Sequence, residues 1–269
     1  MQSSAVFLAL TCASPIWAEQ SHFPYPTLIV SGAEAEQEWR RLRDAPGTPV
    51  ILGSIDDFSN VADAFSPDYA EFHPHTPAEY IALSADLNHP SDLYASRQAE
   101  WDRYLEWLRE NGDAADIAEL EAYDPLALDD ELIGRIPLFY PATITPIGYE
   151  DWQTNRPYDQ VVIAILPTEN SWEAPAYLRF GGWNENPSPE YHVAALRDWH
   201  DRYGAEPIVI STDVMELWAP RQPNTNEDGI NLAIEHFHYD NDIVYQGVGS
   251  IGALAADRMR STYWFFWWD

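Results

Sequence analysis

Lysine is absent from this chain of 269 residues: all 14 basic residues are arginine, set against 44 Asp and Glu for a formal net charge of −30. Without a lysine amine there is no Schiff-base or pyridoxal-type chemistry, and no P-loop reaching a phosphate. A field of that sign also repels phosphate backbones, so nucleic acid is not an expected partner. Cysteine is nearly absent as well. The single Cys12 lies in the N-terminal apolar run, so a chain cut after Ala18 would have neither a disulfide nor a thiol nucleophile. That apolar run is far short of the ~20 residues that span a bilayer, and no membrane span is expected. There is no G-x-S-x-G, no H-E-x-x-H and no complete EF-hand loop.

What is present is enough apolar material for a core, at 46% hydrophobic residues, in one compact unit without repeats or low-complexity tracts. Residues 1–18 have the outline of a signal peptide. Ala5 to Ala13 is apolar, Ser14-Pro15 breaks it, and Ala18 supplies the small residue before a cut, although Met1-Gln2 carries no side-chain positive charge. The expected location is the periplasm or outside the cell, with the cytoplasm as the alternative if the leader is not one. Beyond it we expect an N-terminal α/β segment over 19–145, packed on the same core as a C-terminal domain over 146–269.

Hydrophobic periodicity gives the elements. Strands are predicted at Thr27–Val30, Pro49–Leu52, Gln160–Leu166, Ala176–Phe180, Ile208–Ile210 and Val214–Trp218, and the aromatic run Tyr263–Asp269 should form a core strand. Helices are predicted over Ala33–Arg43, Val61–Phe65, Ala78–Ala85, Leu93–Glu110, Asn226–Phe237 and Ala253–Arg260. Another opens at Ser188-Pro189 and closes at Gly204, with serine as cap and proline in the first turn. The fold class is therefore α+β: a single domain with a mixed central β-sheet and helices packed on it.

Several separated motifs resemble a known family. Leu178-Arg-Phe-Gly-Gly-Trp-Asn184, His192-Val-Ala-Ala-Leu-Arg-Asp-Trp199, Tyr203-Gly-Ala-Glu206, Asp213-Val-Met-Glu216, Ile243-Val-Tyr-Gln-Gly247 and Phe266-Trp-Trp-Asp269 resemble, in order and spacing, the bacterial domain of unknown function 4253 over about Pro157 to Asp269. The resemblance implies a fold unit and no established activity.

Three constellations invite chemistry. Gly247-Val-Gly-Ser-Ile-Gly252 fits G-x-G-x-x-G after an expected strand at Ile243–Gln246, but the following helix is short and no further β-α unit completes a dinucleotide crevice, so a tight strand-to-helix turn is the better reading and no cofactor is expected. His73-Pro-His75 and His236-Phe-His238 lack zinc-site spacing and read as loop histidines, while Asp240-Asn-Asp242 reads as a capped turn; no metal is expected. The polar residues of the family-like motifs remain. Trp183, Asn184 and Glu185 follow a Gly-Gly turn, Glu216 sits in a strand, Gln246 at a strand end and Asp269 at the terminus; these six are the candidate binding residues, with no catalytic residue assigned. The charge and the leader together point to an exported acidic binding protein, of the kind that inhibits a basic toxin as immunity proteins do. The competing reading is a hydrolase that uses carboxylates, which a single pocket gathering Asn184, Glu185, Glu216 and Gln246 would favour.

Overall fold

The computed structural model describes residues 22–112, 117, 120–121, 124–143, 145–151 and 153–269. The leader expected over 1–18, with Cys12 and Ala18, lies outside them. Six strands form one mixed sheet in the order β1-β5-β2-β6-β7-β8: Thr27–Val30, Val161–Leu166, Thr48–Ser54, Glu206–Ile210, Val214–Trp218 and Tyr263–Trp267. Only the central β2–β6 pair is parallel, with Ile51 opposite Val209; its neighbours are antiparallel. A two-stranded ribbon, β3 (Glu150–Asp151) and β4 (Arg156–Pro157), stands apart. The sheet thus takes strands from both ends of the chain.

Alternation along the strands sorts side chains onto two faces. On one, Ile51, Ile163 and Val209 meet helix α1 (Gly32–Arg43) through Ala35, Trp39 and Leu42. On the other, Val50, Leu52, Val162, Ile210, Met215 and Phe266 meet the longer helices α7 (Pro189–Tyr203) and α8 (Asn226–Tyr239). Trp199 of α7 is fully buried there and stacks on Phe266, ring centroids 5.6 Å apart and nearly parallel. The expected aromatic strand is therefore a core strand, although β8 is last in hydrogen-bond order. Its outer edge is closed by a side chain rather than another strand, because the Trp267 amide donates to Asp240 Oδ2 at 2.7 Å.

Side-chain caps begin several helices, although Ser188, the serine expected to cap its helix, makes no side-chain cap hydrogen bond. Ser54 and Thr76 form capping boxes with Asp57 and Glu79, which begin α2 (Ile55–Asp63) and α3 (Pro77–Ser84). The second helix, expected over Val61–Phe65, therefore starts six residues earlier and ends at Asp63, with Asp56 and Asp57 in its first turn. The amphipathic helix α4 covers Ser91–Asn111 and ends at Gly112. A short helix, α5, covers Asp130–Ile133.

Two expected strands are helical instead. Ala176–Phe180 is largely helix α6 (Ala174–Leu178), which has Pro175 in its first turn and closes when Arg179 turns left-handed at φ 54° and the Phe180 amide reaches the Pro175 carbonyl. Ile243–Gln246 belongs to a π-helical turn, Ile243–Val248, entered through Asp240, whose carboxylate also accepts the Asp242 amide at 3.1 Å. The Asp240–Asp242 stretch is the capped turn the sequence suggests, and it holds the following segment in a helical path. The G-x-G-x-x-G run therefore follows no strand. Gly249 supplies a φ of +82°, and a Cβ on Gly252, inside helix α9 (Ile251–Arg258), would lie 2.5 Å from the Arg135 backbone. Both glycines answer to packing and turn geometry.

Candidate binding clefts

The Gly-Gly loop after α6 is held from beneath by a buried chain of polar groups. His192 on α7 is fully buried, and its Nε2 contacts Asn186 Oδ1 at 2.7 Å while Nδ1 meets the Tyr239 hydroxyl. The Asn186 oxygen can only accept, so Nε2 carries the proton and the tyrosine hydroxyl donates to Nδ1. Burial pushes this imidazole down to about 3, with the Arg97 charge acting the same way. It is a neutral strut. Above it Gly181, Gly182 and Asn184 all have positive φ, and Asn184 Nδ2 donates to the Asp269 carbonyl at 2.8 Å, tying the loop to the C-terminus.

Five of the six candidate residues are divided among three clefts, and Asp269 borders none of these three. Asn184 and Glu185 border a cleft of about 520 Å³ together with Arg97, Glu100, Trp101, Tyr104, Phe237, His238, Asn241 and Tyr245. Residues 97, 100, 101 and 104 of α4 share one helix face by their spacing, so the helix presents a charged and an aromatic pair together. Trp101 and Tyr104 lie 5.7 Å apart, and Tyr245, which is 60% exposed on the π-helical turn, packs edge-on against Phe237 at 5.4 Å. Glu185 Oε2 accepts from Asn241 Nδ2 at 2.5 Å. Arg97 donates to the carbonyls of Glu185 and Tyr239 and pairs with Glu100 at 3.8 Å. Burial lowers the pKa of its guanidinium.

Glu216 and Gln246 border a second cleft of about 450 Å³, together with Tyr140, Ile147, Asp242, Asp257, Arg258 and Trp267. Glu216 is buried, and its two oxygens accept the amides of Ile147 at 2.8 Å and Gly148 at 2.7 Å. Burial pushes the carboxyl up to about 7, with those two amides pulling it back. A Cβ on residue 148 would lie 2.5 Å from Val209 and 2.9 Å from the carboxylate, so glycine is required for the approach. Glu216 acts as a latch between β7 and the segment before β3. Gln246 Nε2 donates to Asp242 Oδ1 at 2.8 Å, and the exposed Asp269 donates its amide to Asp242 Oδ2 at 3.2 Å. Trp183 borders a third cleft, of about 490 Å³, beside Arg179, His73 and helix α2.

Of the histidines expected in loops, His73 and His75 lie in the loop ahead of α3, whereas the second pair is helical. His236 and His238 are on α8, and His236 is fully buried with Nδ1 accepting from Arg258 Nε at 2.8 Å. Arg258 is itself buried against Asp257. One group of potential metal ligands exists among the described residues: atoms of His89, Asp198 and Glu235 lie within 4.8 Å of one another. Arg202 Nη1, at 2.7 Å from both carboxylates, already bridges them.

Sequence reasoning passed over Arg97, Trp101, Tyr104, Tyr245 and Arg179, and weighed His73 only as a metal ligand. Arg179 lies inside the quoted Leu178–Asn184 motif, and a rare cation beside two glycines in so acidic a chain was the available signal. The α4 residues offered only helical spacing.

The clefts and the sheet beneath them define an α+β protein whose surface sites are built largely from its C-terminal part. That part, residues 162–269, matches the family described as Domain of unknown function (DUF4253), the family its motifs resemble. No curated protein and no solved structure matches the chain. No helix among the described residues is long and apolar enough to cross a membrane.

Proposed function

We propose that the protein is an exported acidic binding protein for a basic protein partner, and that the cleft beside α4 receives a cationic side chain of that partner. The observation that supports this reading best is the make-up of the cleft, in which Trp101, Tyr104, Phe237 and Tyr245 provide aromatic surface and Glu100 and Glu185 provide carboxylates. A guanidinium or ammonium group over an aromatic face gains about 0.5–2 kcal/mol, more as water is excluded. A neighbouring carboxylate offsets the cost of desolvating that charge. Arg97 brings an opposing charge, but its guanidinium is engaged by two backbone carbonyls and Glu100. The net charge of −30 adds long-range steering of a basic partner, as an inhibitor of a cationic toxin would use. The hydrolase reading has less support, since Asn184 and Glu185 border one cleft while Glu216 and Gln246 border another.

Titration calorimetry with an arginine-rich peptide, and with the same peptide carrying glutamate in place of arginine, tests the proposal. The basic peptide should bind, and Glu185→Gln or Tyr245→Ala should weaken it by about tenfold or more, equivalent to about 1.4 kcal/mol. Glu34→Gln, on the exposed face of α1, should leave affinity unchanged and so controls for general charge attraction. Equal affinity in all three variants, with the fold intact by circular dichroism, would count against the cleft.

A further inference from the structure

A second site is built from the opposite chemistry. The cleft of about 490 Å³ between α2 and the Leu178–Trp183 loop has mostly apolar walls, among them Val61, Phe72, Phe180 and Trp183. Two nitrogen atoms in its lining residues are buried without a hydrogen-bond partner, Arg179 Nε and His73 Nδ1. Arg179 makes no ion pair among the described residues, in a chain whose acids outnumber its bases by 30. Its Nη1 donates to the Ala64 carbonyl at 2.9 Å, and its guanidinium lies 4.9 Å from the Phe65 ring centroid. The side chain is therefore anchored at one end with its Nε unsatisfied. Leaving a buried donor unsatisfied costs about 1–3 kcal/mol, more for a charged group, so an acceptor arriving there recovers that energy.

We propose that this cleft binds a small organic carboxylate, its two oxygens taken by Arg179 and His73 and its apolar body by the walls. A monoanion is favoured over a phosphate for two reasons. The free donors are few, and Asp63 borders the same cleft, so a second negative charge would meet repulsion. Arg179 is aimed by the backbone: its left-handed conformation at the end of α6 turns the chain sharply into the Gly-Gly loop. Burial, joined by the nearby Arg179 charge, lowers the pKa of His73, which favours the neutral imidazole, and its orphan nitrogen can serve as an N–H donor in the matching tautomer. This site is separate from the α4 cleft, and failure of either proposal leaves the other standing.

The experiment is titration calorimetry of the full chain with acetate, benzoate, phenylacetate and indole-3-acetate, each beside its neutral amide. At least one aromatic carboxylate should bind saturably and at least tenfold more tightly than its amide. Arg179→Gln should lose that preference, and His73→Phe should weaken the same ligand while thermal unfolding confirms that both variants are folded. If Arg179→Gln is unfolded, Arg179→Lys replaces it: the charge is kept and Nε is lost, and affinity should still fall. Absence of saturable binding by all four carboxylates would overturn the proposal, as would equal affinity for acid and amide or a folded Arg179 variant that binds like the parent.

Discussion

Gly181→Ala should destabilise the protein by more than about 4 kcal/mol, at the far end of what single substitutions do. Two independent penalties combine at this position. Its φ of +101° is a conformation that a residue with a Cβ resists. A Cβ would also stand 1.9 Å from the Pro187 carbonyl oxygen and 2.6 Å from His192 Nε2. Neither neighbour can move cheaply: the imidazole is locked between Tyr239 and Asn186, and the Pro187 carbonyl accepts the Gly182 amide at 3.0 Å. Gly182→Ala is the matched control. Its φ is similar at +84°, but nothing lies within 4 Å of the added carbon, so only the backbone cost of about 1–2 kcal/mol should appear. Urea unfolding of the two variants separates steric from conformational cost; equal losses would mean that the His192 strut does not hold the loop.

Acidification should also destabilise the fold, despite a net charge that would lead one to expect the reverse. Protonating surface carboxylates relieves self-repulsion in a chain this acidic, and on that ground alone stability would rise as pH falls. The buried histidines act against it. Burial pushes His89 and His192 down to about 3 and His236 well below its ordinary value. The unfolded chain binds protons on these rings below about pH 6.5 while the folded chain does not, so each costs about 1.4 kcal/mol per pH unit as pH falls towards its folded value. Glu216 and Asp240 pull the other way. Burial raises both to about 7, so the folded state binds their protons first and gains stability between about pH 7 and pH 4. Three histidines outweigh two carboxyls, and His238, lowered to about 4 mainly by burial, adds to the loss. We expect maximal stability near neutrality and a loss of about 3 kcal/mol or more by pH 4, read as a fall in the urea midpoint. A midpoint that rises steadily from pH 7 to pH 4 would show that surface repulsion dominates.

Where periodicity and capping agree, the sequence reads through to the structure. Thr27–Val30, the helices Gly32–Arg43, Ser91–Asn111 and Asn226–Tyr239 and the strands Glu206–Ile210 and Val214–Trp218 stand close to where local signals put them, whereas the helix expected over Val61–Phe65 begins at Ile55. The two misassigned strands have one cause in common. Ala176–Phe180 and Ile243–Gln246 are short apolar runs, which fit a strand or a helical turn equally well until neighbours decide. Pro175 and the left-handed Arg179 decide the first, and the Asp240 cap decides the second.

The candidate residues were only half legible for a related reason. Polar residues beside glycine turns mark surface loops, so Trp183, Asn184 and Glu185 do border clefts. Partnership is invisible in one dimension. Nothing local distinguishes Arg179, whose Nε has no partner, from Arg202, which bridges two carboxylates, or Glu185 at a cleft rim from Glu216 latched onto two amides.

The central claim, a cationic side chain of a basic partner held in the aromatic cleft, is tested most directly by affinity capture from native host extract. The full chain and a Glu185→Gln/Tyr245→Ala double variant would be compared, each washed at low and then high salt. The account predicts a basic protein retained by the parent chain, released as salt screens the attraction, and missing from the double variant. A partner that is acidic, that resists salt, or that the double variant captures equally well would contradict it.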